Sequence, residues 1–291
     1  MLILILDRFD TSLSKRLEKY GDVTSDKSLL SKADVVLVRS KTTCDKEFID
    51  KAQNLKLIVR GGVGLDNIDM QYANSKKIIV KNTPKSSGIS VAELTFCMML
   101  AISSRIIEAH NSMLEGKWLK DQLMRTELYG KTICLIGLGN IAKELATRCK
   151  AFGMKVVAYR KSNKTSGYAD VKPHIKEAVK DADYVSIHLP LTEETKDIIN
   201  ANIIKYMKDG VVIVNTSRAE CVNAEDIKEA LKRCKVKAYA NDVWPKDPPP
   251  KSYPILKAPN TLLTPHLGAN SKENLIRIGE EVIEIIKKFV G

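Results

Sequence analysis

Three polar loops, each following an apolar run, carry residue types that do chemistry. They are VNTSRAE with Arg218, NDVWPKDPPP with Asp242 and Asp247, and TPHLGA with His266. Arg218 stands 29 residues before Asp247, and Asp247 stands 19 before His266. An imidazole exchanges protons near neutral pH, and a guanidinium fork matches a carboxylate. Prolines remove backbone donors and end strands, so a rigid loop begins after Asn241. Asp247, set among those prolines, is either an ordinary polar loop residue or an acid placed for chemistry. Loops at strand ends are where open α/β sheets keep their function.

A second constellation is built from backbone. In TICLIGLGNIAKELATRCKAFGMKVVAYRKS a strand, a glycine turn, a helix and another strand follow one another. Gly137-Leu138-Gly139-Asn140-Ile141-Ala142 is a GxGxxA form of the dinucleotide fingerprint. Gly137 allows the tight turn, Gly139 lets a pyrophosphate reach the backbone, and Ala142 keeps helix close to strand. The helix N-terminus adds free N–H groups and a positive dipole end. The alternative, a merely structural glycine turn, fits the strand–turn–helix–strand context less well. An acid is absent at the end of the second strand, where Arg160 and Lys161 stand instead. Two cations there pair with a ribose 2′-phosphate, which favours NADP(H). The alternative is that both are solvated strand-end residues and NAD is held through other contacts.

These loops need a parallel sheet to position them. Short apolar runs predict strands at 2–6, 34–38, 56–59, 78–80, 132–136, 155–159, 183–187, 211–215, 237–240 and 261–263, with amphipathic helical patterns between them. Near-continuous apolar strands separated by helices mean an α/β protein with both sheet faces covered. Ile89–Ala109, free of Gly and Pro, predicts one long helical rod between two βαβ series. Two doubly wound, Rossmann- or flavodoxin-like domains follow, with the active site expected in the cleft between them. The expected division is residues 1–83 plus 269–291 for substrate and 84–268 for the dinucleotide.

The bulk composition is that of an ordinary globular chain: 291 residues, 44% hydrophobic and 28% charged. The net charge of +12 invites a nucleic-acid reading, yet the lysines are scattered and only 5% of residues are aromatic. A solvated lysine-rich surface that attracts small anions is the simpler account. Six cysteines form no CxxC pair and predict reduced thiols in a cytoplasmic protein, with no zinc site. MLILIL is too short for a signal peptide or a membrane span.

The segments RGGVGLDNID, SVAELT, GLGNIA, HLPLT, NTSRAE, DVW and LLTPHLGA, in that order over nearly the whole length, resemble the D-2-hydroxyacid dehydrogenase family. VRSKTT, RGGVGLDNID and GKW followed by TELYGKT resemble the D-3-phosphoglycerate dehydrogenases within it, in a short form without C-terminal regulatory domains. The resemblance implies that His266 is the general acid/base at the C2 oxygen and that Arg218 binds the substrate carboxylate and polarises the carbonyl. Asp247 stands where the family has a glutamate paired with the histidine. Being one methylene shorter, it either comes closer through its loop or makes a longer, weaker pair. The same resemblance implies cofactor contacts at Gly137, Gly139, Asn140, Ile141, Arg160, Lys161, His188, Pro190, Thr195, Thr216, Asp242 and Gly268. Asp242 then meets the nicotinamide carboxamide; its alternative is a turn-capping acid.

On the substrate side, Gly61-Gly62-Val63-Gly64 exposes backbone N–H groups that hold an anion. The resemblance implies that Gly62, Val63 and Gly64 grip the substrate carboxylate, while Arg39, Ser40 and Arg60 take a 3-phosphate. The alternative makes Arg39 and Arg60 structural strand-end cations. Ala219 replaces a glycine usual in the family, and Asn140 a residue often basic. The implied activity is NAD(P)-dependent oxidation of D-3-phosphoglycerate to 3-phosphohydroxypyruvate. The runner-up is a glyoxylate/hydroxypyruvate reductase, and the rival of another class is a non-catalytic dinucleotide sensor. The implied partners are a small anionic 2-hydroxy or 2-oxo acid and a second copy of the chain, with neither nucleic acid nor membrane.

Overall fold

The apolar runs form strands whose alternate side chains enter opposite cores, which is the signature of a sheet covered on both faces. The computed structural model describes residues 1–162 and 165–291. It divides into two compact units, Met1–Ser90 with Ala269–Gly291, and Val91–Gly268. Chain order gives strands β1 Leu2–Ile5, β2 Asp22–Thr24, β3 Val35–Val38, β4 Leu57–Arg60, β5 Ile79–Asn82 and β6 Thr132–Ile136. These are followed by β7 Lys155–Tyr159, β8 Asp170–Lys172, β9 Tyr184–Ile187, β10 Val211–Asn215, β11 Val236–Asn241 and β12 Thr261–Leu263. The helices are α1 Leu13–Leu17, α2 Lys46–Lys51, α3 Met70–Ser75, α4 Gly88–Ser104, α5 Ile106–Leu114, α6 Asn140–Ala151, α7 Ile175–Val179, α8 Ala201–Ile204, α9 Ala224–Lys232 and α10 Lys272–Val290.

In the first unit the sheet order is β2-β1-β3-β4-β5, all parallel. Val35 and Leu37 face one core, and Val36 and Val38 face the other. The C-terminal helix α10 buries Ile278, Val282 and Ile286 in the first of these cores, each worth about 1.5–3 kcal/mol of burial. That is why the end of the chain belongs to the N-terminal unit. Residues 84–90 go with it as well, whereas the sequence places the division at 83/84. Ser86 donates to Glu281 Oε2 (2.6 Å), and Asn274 Nδ2 donates to Ser87 Oγ (3.4 Å).

In the second unit the order is β12-β11-β10-β9-β6-β7-β8, again all parallel. The order reverses between β6 and β9, so the loops after these two strands flank the crevice where such sheets bind ligands. Cys134 and Ile136 face one core, and Ile133 and Leu135 face the other.

Two expectations are corrected. β2 and β8 are absent from the strand prediction; both are three-residue edge strands paired on one side, DVT and DVK, with no apolar run to signal them. The rod predicted over Ile89–Ala109 is broken at Arg105, which is left-handed (φ 51°), and α4 and α5 meet at 61°. No Gly or Pro marks the break. Tertiary bonds compensate for it: Thr126 N donates to Ser103 O (2.8 Å), and the Arg105 guanidinium donates to Gln122 O (2.9 Å) and Glu108 (2.6 Å). Among the described residues no single helix is long and apolar enough to cross a membrane. Only the bent α4–α5 pair reaches that length, and α4 buries Phe96, Met98 and Met99 in its own unit.

Candidate active site

The glycine turn leaves β6 at Gly137, whose φ is +99° and where a Cβ would lie 2.6 Å from His188 O. Only glycine meets both conditions. Gly139 caps α6 without a side-chain partner for the first turn, and no described atom lies within 4 Å of a Cβ built there. The protein's own packing therefore does not demand that glycine. A phosphate group approaching the helix N-terminus does. Asn140 and Ile141 open the helix, and the third position, Ala142, is fully buried against the sheet. These features fit a bound dinucleotide.

His188 follows β9, across the switch point. Its Nε2 lies 2.9 Å from Ser186 Oγ, and burial pushes its pKa down to about 4, so the ring is neutral at neutral pH. Thr195 Oγ1 donates to Pro190 O (2.6 Å) and closes the HLPLT turn. Thr216 Oγ1 lies 2.9 Å from Thr95 Oγ1, tying the loop after β10 to α4. At the end of β7, Arg160 Nε donates to Ser162 Oγ (2.7 Å), and Lys161 Nζ reaches both oxygens of Glu194 at 2.8 Å. The Lys161–Glu194 pair is exposed and screened, so it holds the lysine weakly.

The expected acid–base pair meets across the NDVWPKDPPP and TPHLGA loops. His266 Nδ1 lies 2.6 Å from Asp247 Oδ2, both side chains being about one third exposed. The loop brings the shorter acid within full hydrogen-bonding reach. Trp244 helps to set that reach: its Nε1 donates to Thr264 O (3.0 Å), and its ring packs edge-on against Tyr253. Arg218 is held from behind. Asn215 Nδ2 donates to Arg218 O (2.8 Å), Asn215 Oδ1 accepts from Ser217 N and Oγ, and Arg218 itself donates to Ser217 O (2.6 Å).

Asp242 is 1% exposed. Its Oδ1 accepts from Thr264 Oγ1 (2.6 Å) and Leu267 N (2.7 Å), and its Oδ2 accepts from Gly268 N (2.8 Å). Burial pushes this carboxyl up, while the three hydrogen bonds and the nearby His266 pull it down. The turn-capping alternative thus describes its contacts. Sequence reasoning passed over Asn215, Thr264 and Trp244. A polar Asn closing the wholly buried strand VVIVN was the available signal for the first of them.

In the first unit, Arg60 and Gly62 come together, the guanidinium lying across the Gly62 α-carbon. Asn82 Nδ2 donates to Val63 O (2.5 Å), which leads the chain towards Gly64. The contacts of Arg39 are those of the structural alternative. It donates to Arg8 O (3.2 Å) and Ala269 O (3.0 Å), and burial pushes its pKa down. Ser40 beside it is exposed.

Residues 96–268 match the family model described as D-isomer specific 2-hydroxyacid dehydrogenase, NAD binding domain. The chain is 43% identical over 265 residues to a hydroxypyruvate reductase of Thermotoga maritima, covering 90% of this chain and 87% of that protein. It is 41% identical over 300 residues to a D-3-phosphoglycerate dehydrogenase of Methanocaldococcus jannaschii, covering 99% of this chain but only 57% of that one. Among solved structures, the D-lactate dehydrogenase of Aquifex aeolicus with NAD and lactic acid superposes with a TM-score of 0.88 at 28% identity, over 100% of this chain and 95% of that one. With its glycine turn at the switch point of a seven-stranded parallel sheet, the chain belongs to the D-isomer specific 2-hydroxyacid dehydrogenase family and carries that family's NAD-binding domain.

Proposed function

We propose that the protein interconverts D-3-phosphoglycerate and 3-phosphohydroxypyruvate with NAD(P). The observation that carries this reading is the 2.6 Å contact between His266 and Asp247. Asp247 takes the Nδ1 side of the ring and leaves Nε2 to exchange the proton of the C2 oxygen. His266 accepts that proton in oxidation and returns it in reduction. Arg218 binds the carboxylate and polarises the C2 carbonyl, with its backbone fixed by Asn215. When bound, the nicotinamide supplies the hydride acceptor or donor. In this reading Val63 and Gly64 offer their N–H groups to the carboxylate and Arg60 is the cation for a phosphate, while Gly62 N–H is already donated to Arg60 O (2.9 Å). A dinucleotide sensor needs no acid–base pair, so the Asp247–His266 contact favours turnover.

A second reading, a glyoxylate/hydroxypyruvate reductase, is favoured by one observation: Arg39 commits donors to backbone carbonyls, which leaves one fewer cation for a phosphate. A matrix of NADH and NADPH against phosphohydroxypyruvate, hydroxypyruvate and glyoxylate separates the two. The highest kcat/KM is expected with phosphohydroxypyruvate, and turnover of none of the three ends the enzyme reading. In the same matrix Arg160→Asp should shift the NADPH/NADH ratio towards NADH by roughly ten- to a hundredfold, the worth of a charged hydrogen bond. An unchanged ratio defeats the 2′-phosphate role.

A homodimer accompanies this proposal. Leu114, Trp118 and Met124, at 75%, 74% and 80% exposure, lie with the exposed Ile106 and Ile107 on α5 and the segment after it, apolar side chains that a second copy of the chain would cover. Sedimentation should give a dimer that Leu114→Lys dissociates; a wild-type monomer at micromolar concentration overturns it.

A further inference from the structure

We propose that Asp242 is a positioning residue for His266, acting through the backbone of the turn that presents the imidazole. This rests on the reading of His266 as the acid/base. His266 is a non-glycine residue at φ +56°, a conformation that persists only where surrounding bonds over-determine it. The two N–H groups that follow it, of Leu267 and Gly268, both donate to the Asp242 carboxylate at 2.7 and 2.8 Å. Thr264, two residues before the histidine, donates to the same carboxylate at 2.6 Å. One buried anion therefore clasps the turn on both sides of His266, and bonds to an ionised acceptor are stronger than neutral ones.

The anchor is itself rigid. Asp242 N donates to Asn215 O (3.0 Å) and Thr264 N to Asn241 O (3.0 Å), which locks the ends of β10, β11 and β12 together. A Cβ at Gly268 would press on Asp242 Oδ2 at 3.1 Å and on Val91 at 3.3 Å, so turn and carboxylate approach closely here. Asn215 holds Arg218 from the same row of strand ends. The positions of the two reacting side chains thus trace to adjacent polar residues in a rigid sheet, the support that catalytic geometry requires. Three of the roughly four acceptor sites of the carboxylate are taken by the turn, which leaves about one for a ligand donor.

Asp242→Asn, Thr264→Val and Thr264→Ser test this by two independent readouts. The first is amide hydrogen exchange at Leu267 and Gly268 in protein without substrate. Asp242→Asn should accelerate it by roughly ten- to a hundredfold, the fold-change for losing a bond to a charged acceptor. The second is kinetic: kcat should fall by roughly a hundredfold, as expected for a misplaced catalytic group, while the dissociation constant for NADH or NADPH stays within threefold or so. Thr264→Val should move both readouts the same way but less, and Thr264→Ser should restore them. Should Asp242→Asn not fold, the Thr264 pair carries the test. Weakened dinucleotide binding with unchanged exchange and kcat overturns the proposal in favour of a direct nicotinamide contact, and wild-type values throughout overturn it outright. Wild-type protein without turnover on any 2-oxo acid sinks the His266 reading instead, and the exchange measurement then still decides whether Asp242 holds the turn.

Discussion

Replacing His266 with alanine should lower kcat by roughly a hundred- to ten-thousandfold, the range spanned by a positioned proton donor. The dissociation constant of the dinucleotide should stay near the wild-type value, because the glycine turn at Gly137 and the first turn of α6 are separate from the His266 turn. The loss follows from geometry. His266 is the histidine whose Nδ1 meets a carboxylate, that of Asp247, and the ring is thereby held in one orientation and one tautomer. His188 cannot substitute for it: its Nε2 is engaged with Ser186 and burial keeps it neutral. Steady-state kinetics with dinucleotide titration by fluorescence checks the expectation. Activity retained within tenfold in His266→Ala would remove the histidine from the chemistry.

Replacing Arg218 with lysine should lower kcat/KM by roughly a hundred- to a thousandfold, comparable to removing one preorganised donor from a developing charge. A lysine keeps the charge and loses the planar fork. Arg218 donates to Ser217 O at 2.6 Å while its own carbonyl is pinned by Asn215, so the guanidinium projects from a fixed base. An ammonium on a flexible stem cannot donate to Ser217 O and also present two parallel N–H groups to a carboxylate. Dinucleotide affinity should again be unaffected. A lysine variant within threefold or so of wild type would mean that Arg218 acts only as a point charge.

Much of this was legible in the chain itself. The β-branched runs and the glycine turn announced a parallel sheet with a dinucleotide fingerprint, because strand burial and the steric demand of a tight turn are local properties. The short edge strands β2 and β8 escaped notice because pairing, not composition, makes them strands. The break at Arg105 escaped for a similar reason, its compensating bonds coming from Gln122 and Thr126 well beyond the helix.

The residue types of the candidate site, an arginine, an acid and a histidine at strand ends, were determined by sequence, as was the absence of an acid directly after β7. What each of them touches was decided only by the fold. Asp247 reaches His266 across 19 residues, Asp242 clasps Leu267 and Gly268 across 25 and 26, and Arg39 turns to Ala269 across 230. Periodicity and turn chemistry report what a residue does within a few positions of itself. A hydrogen bond between strand-end loops depends on which strands the sheet places side by side, and only the folded chain supplies that adjacency.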